Sequence, residues 1–164
     1  MLKSPIYRCA LFLAILIPWT INLRAQSSLV LSSGTVAPGG SVTLNLTLSS
    51  AYDSQPAGIQ WTLRYAAAKV LVWSIAAGPA LIASGKTITC AAKDTEYRGV
   101  VAYTCLAVGL NASPIADGVV ATLTVSLANG AGATAIDLMN TLGASPAGSY
   151  ISIAATGGTV APGS

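Results

Sequence analysis

Strict alternation of apolar and polar residues over short segments is the feature that most constrains the fold of this chain. From Ser41 to Leu48 every second residue is Val or Leu, and the residues between them are Thr or Asn. The segments Ile59–Tyr65 and Val119–Leu127 alternate in the same way. Because successive side chains of a β-strand point to opposite faces of a sheet, these segments predict antiparallel strands with one buried and one solvated face.

Shorter segments rich in Val, Ile, Thr and Leu bring the predicted number of strands to about nine. Runs containing Gly, Pro, Asn or Asp separate them, and the only hint of a helix, at residues 66–69, is too short to matter. The sequence therefore predicts an all-β domain of two packed antiparallel sheets. The further strands are predicted at residues 28–33, 70–76, 86–92, 99–108, 134–140 and 151–160.

The same alternation predicts which side chains face the core. Val119, Ala121 and Leu123 are expected to point inward, and Val120 outward. Trp61 shares its predicted face with Ile59 and Leu63, and Trp73 shares its face with Leu71 and Ile75. Both tryptophans are thus predicted to be core residues rather than a sugar-stacking surface. The tyrosines in or near loops, Tyr52, Tyr97 and Tyr150, are better candidates for surface recognition.

The first 25 residues have the composition of a secretory signal peptide. Lys3 and Arg8 precede an apolar run, and Ala25 supplies a small residue at the expected cleavage point. A retained membrane anchor is the alternative, although Pro18 and two polar residues break the run. We therefore expect cleavage after Ala25, a single domain at residues 26–164, no membrane span in the mature chain, and a secreted, cell-surface or periplasmic location.

The charge balance argues against two classes of partner. Of the eight Lys and Arg residues three lie in the predicted signal peptide, which leaves five basic residues against five acidic ones. A chain this close to neutral lacks the positive field that nucleic acid or anionic membrane requires. We expect neither partner.

Cys90 and Cys105 are the only cysteines after the predicted signal peptide. In an exported protein an even count favours a disulfide, with two free thiols as the alternative. A zinc site is not expected, because the chain has no His to complete a ligand set.

The chain is poor in residues that carry catalysis. Without His no Ser-His-Asp or Cys-His arrangement can form. Asp94 and Glu96 are the only acids close in sequence, and they lie in a charged segment that is typical of a solvated hairpin tip. Calcium-loop and phosphate-loop patterns are missing from the sequence, so no enzyme activity, metal or cofactor is expected.

A six-residue segment occurs twice, first at residues 34–39 and again at residues 158–163. Both copies read Gly-Thr-Val-Ala-Pro-Gly. The repeat indicates either a junction to a further module of the same type or a coincidence of two turn-rich segments.

Three ordered segments, together with Gly-Gly-Thr-Val near the C-terminus, resemble the cohesin-like family of extracellular bacterial modules. These segments are residues 36–44, 58–65 and 118–125. The resemblance spans nearly all of residues 26–164 and implies a nine-stranded antiparallel jelly-roll, an Ig-like β-sandwich. It also implies that the fifth and sixth strands, which carry Cys90 and Cys105, lie side by side, so that a cross-strand disulfide is natural.

The resemblance further implies a binding face. Cohesins of cellulosomes hold a dockerin on the sheet that contains their third, fifth, sixth and eighth strands. Where the family commonly has Asp after the tyrosine that ends the third strand, this chain has Ala66. The implied outward positions on this sheet are Gln60, Arg64, Thr87, Thr89 and Asp137, with Asp94, Glu96 and Tyr97 on a loop at the rim.

A protein–protein interaction module that docks a dockerin-type or other extracellular partner is thus the leading functional prediction. A carbohydrate-binding module for polysaccharide is the alternative, since related sandwiches hold glycans. A structural subunit of the cell surface is the third functional hypothesis, because low charge and many small residues suit packing between copies of the chain.

Overall fold

The computed structural model describes residues 26–51 and 53–163. The signal-peptide prediction, residues 1–25, lies outside these residues, as does Tyr52. The described chain forms eleven β-strands and one short helix. In chain order they are β1 (Ser27–Leu31), β2 (Gly34–Val36), β3 (Val42–Ser49), β4 (Gly58–Ala66), β5 (Val70–Ala77), α1 (Pro79–Ala83), β6 (Thr87–Lys93), β7 (Val100–Val108), β8 (Gly118–Leu127), β9 (Thr134–Ala144), β10 (Tyr150–Thr156) and β11 (Gly158–Pro162).

The strands form one curled sheet whose two halves pack against each other as a sandwich. Its strand order is β5-β8-β3-β1-β10-β9-β4-β7-β6, with β11 pairing β9 and β2 beside this path. Most neighbours are antiparallel, but β1 pairs β10 and β2 pairs β11 in parallel. The predicted all-β jelly-roll sandwich is confirmed.

The core lies between the two halves and uses the predicted alternation. On β3 the inward residues Leu44, Leu46 and Leu48 are buried, and on β4 Trp61 is buried completely. Trp73 on β5 is half-buried against this core, with its ring 4.5 Å from that of Tyr103. Trp61 is therefore a core residue, as predicted, and Trp73 packs against the core from its edge.

Two β-bulges change which side chains of β5 and β8 face the core, relative to the prediction. The register between β3 and β8 shifts at Leu46/Thr47, and Val120 is buried while Val119 is half-exposed. The register between β5 and β8 shifts between Val70 and Val72, which leaves Leu71 exposed. The predictions that Val119 and Leu71 face inward and Val120 outward were wrong, because an extra residue in one strand reverses the faces beyond it.

The segments predicted as turns also hold structure that the pattern did not show. β2 and β11 are the two strands beyond the nine predicted: β2 lies at residues 34–36, where no strand was predicted, and the predicted strand at residues 151–160 divides at Gly157 into β10 and β11. Helix α1 follows Gly78 and begins at Pro79, a residue suited to the first helical turn. The helical hint at residues 66–69 is instead the last residue of β4, Ala66, followed by a turn at residues 67–69 that leads into β5.

Cys90 and Cys105 form a disulfide between directly opposite residues of β6 and β7, with their Cα atoms 4.0 Å apart. β6 is an edge strand that, among the described strands, pairs with β7 alone. The disulfide therefore fixes the register of this edge.

Candidate functional site

The outward side chains of β9, β4, β7 and β6 form a broad surface that we call the outer face. On β4 the core residues Ile59, Trp61 and Leu63 alternate with Gln60, Thr62 and Arg64, which point away from the core. Strand pairing extends this pattern to the neighbouring strands, because residues opposite each other share a face. The sequence-predicted residues Gln60, Arg64, Thr87, Thr89 and Asp137 all lie on the outer face.

One end of the outer face is charged. Arg64 lies opposite Asp137 on β9, and its Nε and Nη2 atoms donate to the Asp137 Oδ2 atom at 3.1 and 2.8 Å. The side chains of this pair are 35% and 47% exposed. Because each charge neutralises the other, this pair presents little net charge to a partner.

The loop between β6 and β7 borders this charged end. It carries the predicted rim residues Asp94, Glu96 and Tyr97, and Thr95 holds its shape by donating to the carbonyl oxygens of Tyr97 and Val100 at 3.1 and 2.9 Å. A shallow depression of about 250 Å³ separates this loop from Arg64. The loop is the hairpin tip that the sequence predicts.

The centre of the outer face is polar and internally bonded. The hydroxyl oxygens of Thr62 and Thr104 are 3.1 Å apart, and the Asn140 side chain donates to Thr62 at 3.5 Å. Asn140 has a positive φ of 51° where β9 holds an extra residue against β4. Thr62 is buried beneath these contacts although it points outward.

The other end of the outer face is apolar. Leu106 on β7 and Leu142 on β9 lie on either side of Gln60 in one cross-strand row. In the next row Val108 lies opposite Thr87, and Tyr150 on β10 lies opposite Ala144. The exposed fractions are 42% for Leu106, 41% for Val108, 36% for Leu142 and 70% for Tyr150.

Leu106, Val108 and Leu142 were missed at the sequence level. The sequence pattern that could have located Leu106 and Val108 lies in residues 100–108. Cys105 faces inward there, so the period-two alternation of a strand places Leu106 and Val108 on the outer face. A strand with apolar residues on both faces suggests burial on both, so these side chains were not assigned to a surface.

A buried lysine ties the next loop to this apolar end. Lys86 is 3% exposed, and its Nζ atom donates to the backbone oxygen of Asn111 at 2.5 Å and to the Asn111 Oδ1 atom at 2.6 Å. The Asn111 side chain in turn donates to the carbonyl oxygen of Ser84 at 3.3 Å. This clamp holds residues 109–113, including the fully exposed Leu110, beside Val108.

The described residues contain no group of three or more His, Cys, Asp and Glu side chains that could hold a metal ion. The same residues include no helix of the length and hydropathy that crossing a bilayer requires.

The cohesin domain family model matches residues 27–160. The chain belongs to the cohesin family. The match begins with β1 and ends within β11, so it spans nearly the whole described sandwich. No curated protein matches this cohesin in sequence.

Solved structures similar to this cohesin share its fold at low sequence identity. The sixth cohesin of scaffoldin B from Acetivibrio cellulolyticus, in complex with a mutant Cel5 dockerin, has a TM-score of 0.69 and 18% identity over 85% of this chain and 100% of that one. The cohesin of a type I cohesin–dockerin complex from Clostridium thermocellum has a TM-score of 0.64 and 14% sequence identity. The match covers 84% of this chain and 99% of that one. A non-cellulosomal cohesin from the archaeon Archaeoglobus fulgidus has a TM-score of 0.64 and 14% sequence identity. The match covers 85% of this chain and 93% of that one.

Proposed function

We propose that this cohesin is a secreted, non-catalytic docking module that binds a dockerin-type protein on its outer face. The observation that carries the proposal is that the outer face gathers the predicted binding residues beside an exposed apolar cluster on one rigid sheet. The similar cohesins of Acetivibrio cellulolyticus and Clostridium thermocellum were solved in complex with dockerins. These complexes support the class of partner proposed.

The shape of the outer face fits a protein partner better than a small molecule. Its side chains stand on four hydrogen-bonded strands, so the surface is broad and preformed. The depression beside Arg64 is shallow and open to solvent. Small-molecule sites are usually enclosed and mostly apolar, whereas protein partners meet broad surfaces with an apolar centre and a polar rim.

In this proposal the eight predicted residues form the polar part of the contact. Gln60, Thr87 and Thr89 stand among the apolar side chains and offer hydrogen bonds there. Arg64 and Asp137 define the charged end. Asp94, Glu96 and Tyr97 line its rim and contact the outer part of the partner, where exposed charges guide association more than they add affinity.

Binding to purified dockerin domains tests the proposal. The protein is recovered from the secreted fraction of an expressing bacterium, and its affinity for a panel of dockerins is measured by isothermal titration calorimetry. Thr89→Arg on β6 and Thr47→Arg on β3 form a matched pair, because both replace an exposed threonine on a strand. Thr89 lies on the outer face, whereas Thr47 lies on the opposite side of the sandwich.

We expect a dockerin to bind and Thr89→Arg to weaken binding at least tenfold, because a long charged side chain would stand inside the contact. Thr47→Arg is expected to leave the affinity within about threefold, since an uncontacted surface position contributes little. Equal effects of the two substitutions, or no dockerin binding, would count against the proposal. Binding to soluble polysaccharide alone would favour the carbohydrate-binding alternative.

Secretion is part of the proposal and has its own measurement. The intact mass of the exported protein is expected to correspond to a chain that begins at Gln26. A protein that stays in the membrane fraction with its first 25 residues would contradict cleavage.

A further inference from the structure

We propose that two copies of this chain join edge to edge through strand β5, antiparallel about a twofold axis that passes beside Ile75. The paired segment is residues 73–77. In the strand order β5 lies at the opposite edge from β6, so this contact leaves the outer face free. One dimer presents two outer faces, which raises the avidity for any partner that carries two binding modules.

β5 is an open edge whose backbone can accept another strand. Among the described strands it pairs with β8 alone. The Gly78 amide donates to the Val120 carbonyl at 2.9 Å, so the backbone of Gly78 faces β8. Because the backbone groups of successive strand residues point to alternate sides, those of Ser74 and Ala76 face β8 as well. The residues whose N–H and C=O groups point to the open edge are Trp73, Ile75 and Ala77.

β5 lacks two of the features that normally keep strand edges from pairing. Val70–Ala77 contains no charged residue and no proline. By contrast β6, the opposite edge, ends at the exposed Lys93 and leads into a charged loop. The bulge of β5 lies before residue 73, so residues 73–77 pair regularly with β8 and keep a straight edge. An uncharged, regular edge of this kind is a template for another strand.

Two core side chains of β5 are incompletely covered at this edge. Trp73 and Ile75 pack against the core but stay half-buried, whereas Leu123 and Val125 on the neighbouring strand β8 are buried. The core is therefore open to solvent along β5. A strand added here extends the sheet and covers the exposed part of both side chains, which is favourable because apolar surface leaves water.

A second copy of β5 is complementary to the first. When Ile75 pairs with Ile75, Trp73 lies opposite Ala77, so a large side chain meets a small one on the inner side. On the outer side Ser74 lies opposite Ala76, and both side chains are small. All outward backbone groups of residues 73–77 then find partners, in about six N–H···O hydrogen bonds. A register shifted by two residues leaves some of these groups unpaired.

The charge balance and the exposed apolar residues beside β5 favour a second copy as the occupant. Residues 26–164 carry five basic and five acidic residues, so two copies do not repel each other. Leu71 lies before the paired segment and is 69% exposed, and Ile82 of α1 lies after it and is 63% exposed. Antiparallel pairing brings the Leu71 end of one copy toward the Ile82 end of the other, twice in each dimer.

The mass of the purified protein in solution tests the proposal. Pairing through five residues covers less than the roughly 800 Å² per partner of a standard interface, so we expect a weak, reversible dimer. In sedimentation equilibrium from about 1 µM to about 1 mM, the mass is expected to rise from one chain to two, with a midpoint of about 100 µM. A mass of one chain at every concentration would overturn the proposal.

Charge substitutions on the outer side of β5 test the contact itself. Ser74 and Ala76 are exposed in the single chain, so charged side chains there leave the core intact. Ser74→Lys/Ala76→Lys sets like charges directly opposite each other across the twofold axis, and we expect dimerisation at least about tenfold weaker. Ser74→Glu/Ala76→Glu is expected to weaken it equally. An equimolar mixture of the lysine and glutamate variants is expected to restore the dimer, because opposite charges then face each other.

Thr47→Lys/Ser49→Lys is the matched control, because both residues are exposed on β3, away from the edge of β5. It is expected to leave dimerisation within about threefold in 0.15 M NaCl, where distant charges are screened. Thr89→Arg, which tests docking on the outer face, is expected to leave the dimer unchanged, so the two proposals fail separately. A dimer that the β5 variants do not weaken, or a lysine–glutamate mixture that stays monomeric, would show that β5 is not the contact.

Discussion

Tyr65 ends the inward row of β4 and is only 8% exposed. Its burial, and secondarily the neighbouring Tyr103, raises the pKa of Tyr65 from 10.0 to about 12. Burial disfavours the charged tyrosinate, because the core cannot solvate it as water does. In the unfolded chain the same hydroxyl ionises near its ordinary value, so the two states bind protons differently at alkaline pH.

This difference predicts a loss of stability at high pH. Below pH 10 the Tyr65 hydroxyl is protonated in both the folded and the unfolded state, so its ionisation does not reduce the free energy of unfolding. Between pH 10 and 12 only the unfolded chain releases the proton, which favours unfolding and lowers the free energy of unfolding as pH rises. Denaturant titrations from pH 8 to 12 are expected to show a steeper decline for the unmodified protein than for Tyr65→Phe.

The control for this experiment is Tyr150→Phe, since Tyr150 is exposed and on the other side of the sheet. Its pH profile is expected to follow that of the unmodified protein. A Tyr65→Phe profile identical to both would show that Tyr65 ionises alike in the folded and unfolded states.

At the scale of elements, the Cys90–Cys105 disulfide joins the edge strand β6 to β7 and closes a loop of 14 intervening residues. On the chain-entropy model such a loop stabilises the fold by about 3 kcal/mol, because it restricts the unfolded chain. Reduction is therefore expected to lower the free energy of unfolding by about 3 kcal/mol in urea titrations. A Cys90→Ala/Cys105→Ala variant is expected to be insensitive to the reductant.

A thiol assay on the unfolded, unreduced protein provides the independent check. We expect neither Cys90 nor Cys105 to react. Two reactive thiols, or a urea midpoint that reductant does not change, would contradict the disulfide and favour the alternative of free cysteines.

The sequence determined the strands well because alternation records burial directly. Residues 42–48 and 59–65 alternate without interruption, and the structure shows strands there with the predicted faces inward. The pattern failed where a bulge inserts a residue, as at Val120 and Leu71, because the bulge depends on pairing between strands distant in sequence. β2 was missed for a related reason, since three residues before Ala37-Pro38-Gly39 carry no periodicity of their own.

The candidate site was predicted in part. The resemblance placed Gln60, Arg64, Thr87, Thr89 and Asp137 together on one face, and the structure brings them to that face. The Arg64–Asp137 pairing and the apolar end were not predicted, because both depend on the register between β4, β7 and β9. Side chains distant in sequence become neighbours only when that register is known.

At the scale of the whole molecule, the two ends of the described chain close the sandwich together. β1 pairs in parallel with β10, and β2 pairs in parallel with β11. The repeated Gly-Thr-Val-Ala-Pro-Gly segments supply β2 and β11, so the two copies lie side by side within one domain. Strand β11 is therefore an integral part of the sandwich.

Removing β11 is expected to destabilise the entire domain. A chain that ends at Gly157 loses Val160, which is fully buried, and leaves the ladder edges of β2 and β9 unpaired. Burial of one such side chain contributes about 1.5–3 kcal/mol, and each lost hydrogen bond adds about 1 kcal/mol. We expect a loss above about 3 kcal/mol, measured as the free energy of unfolding in urea.

A chain that ends at Pro162 is the matched control, since it keeps β11 and loses, among the described contacts, the hydrogen bond from the Gly163 amide to the Val36 carbonyl at 2.7 Å. The free energy of unfolding of this control chain is expected to fall by about 1 kcal/mol. If both truncated chains were equally stable, the parallel pairing of β2 with β11 would not contribute to folding. A large loss for the shorter chain alone would show that the N-terminal and C-terminal strands fold as one cooperative unit.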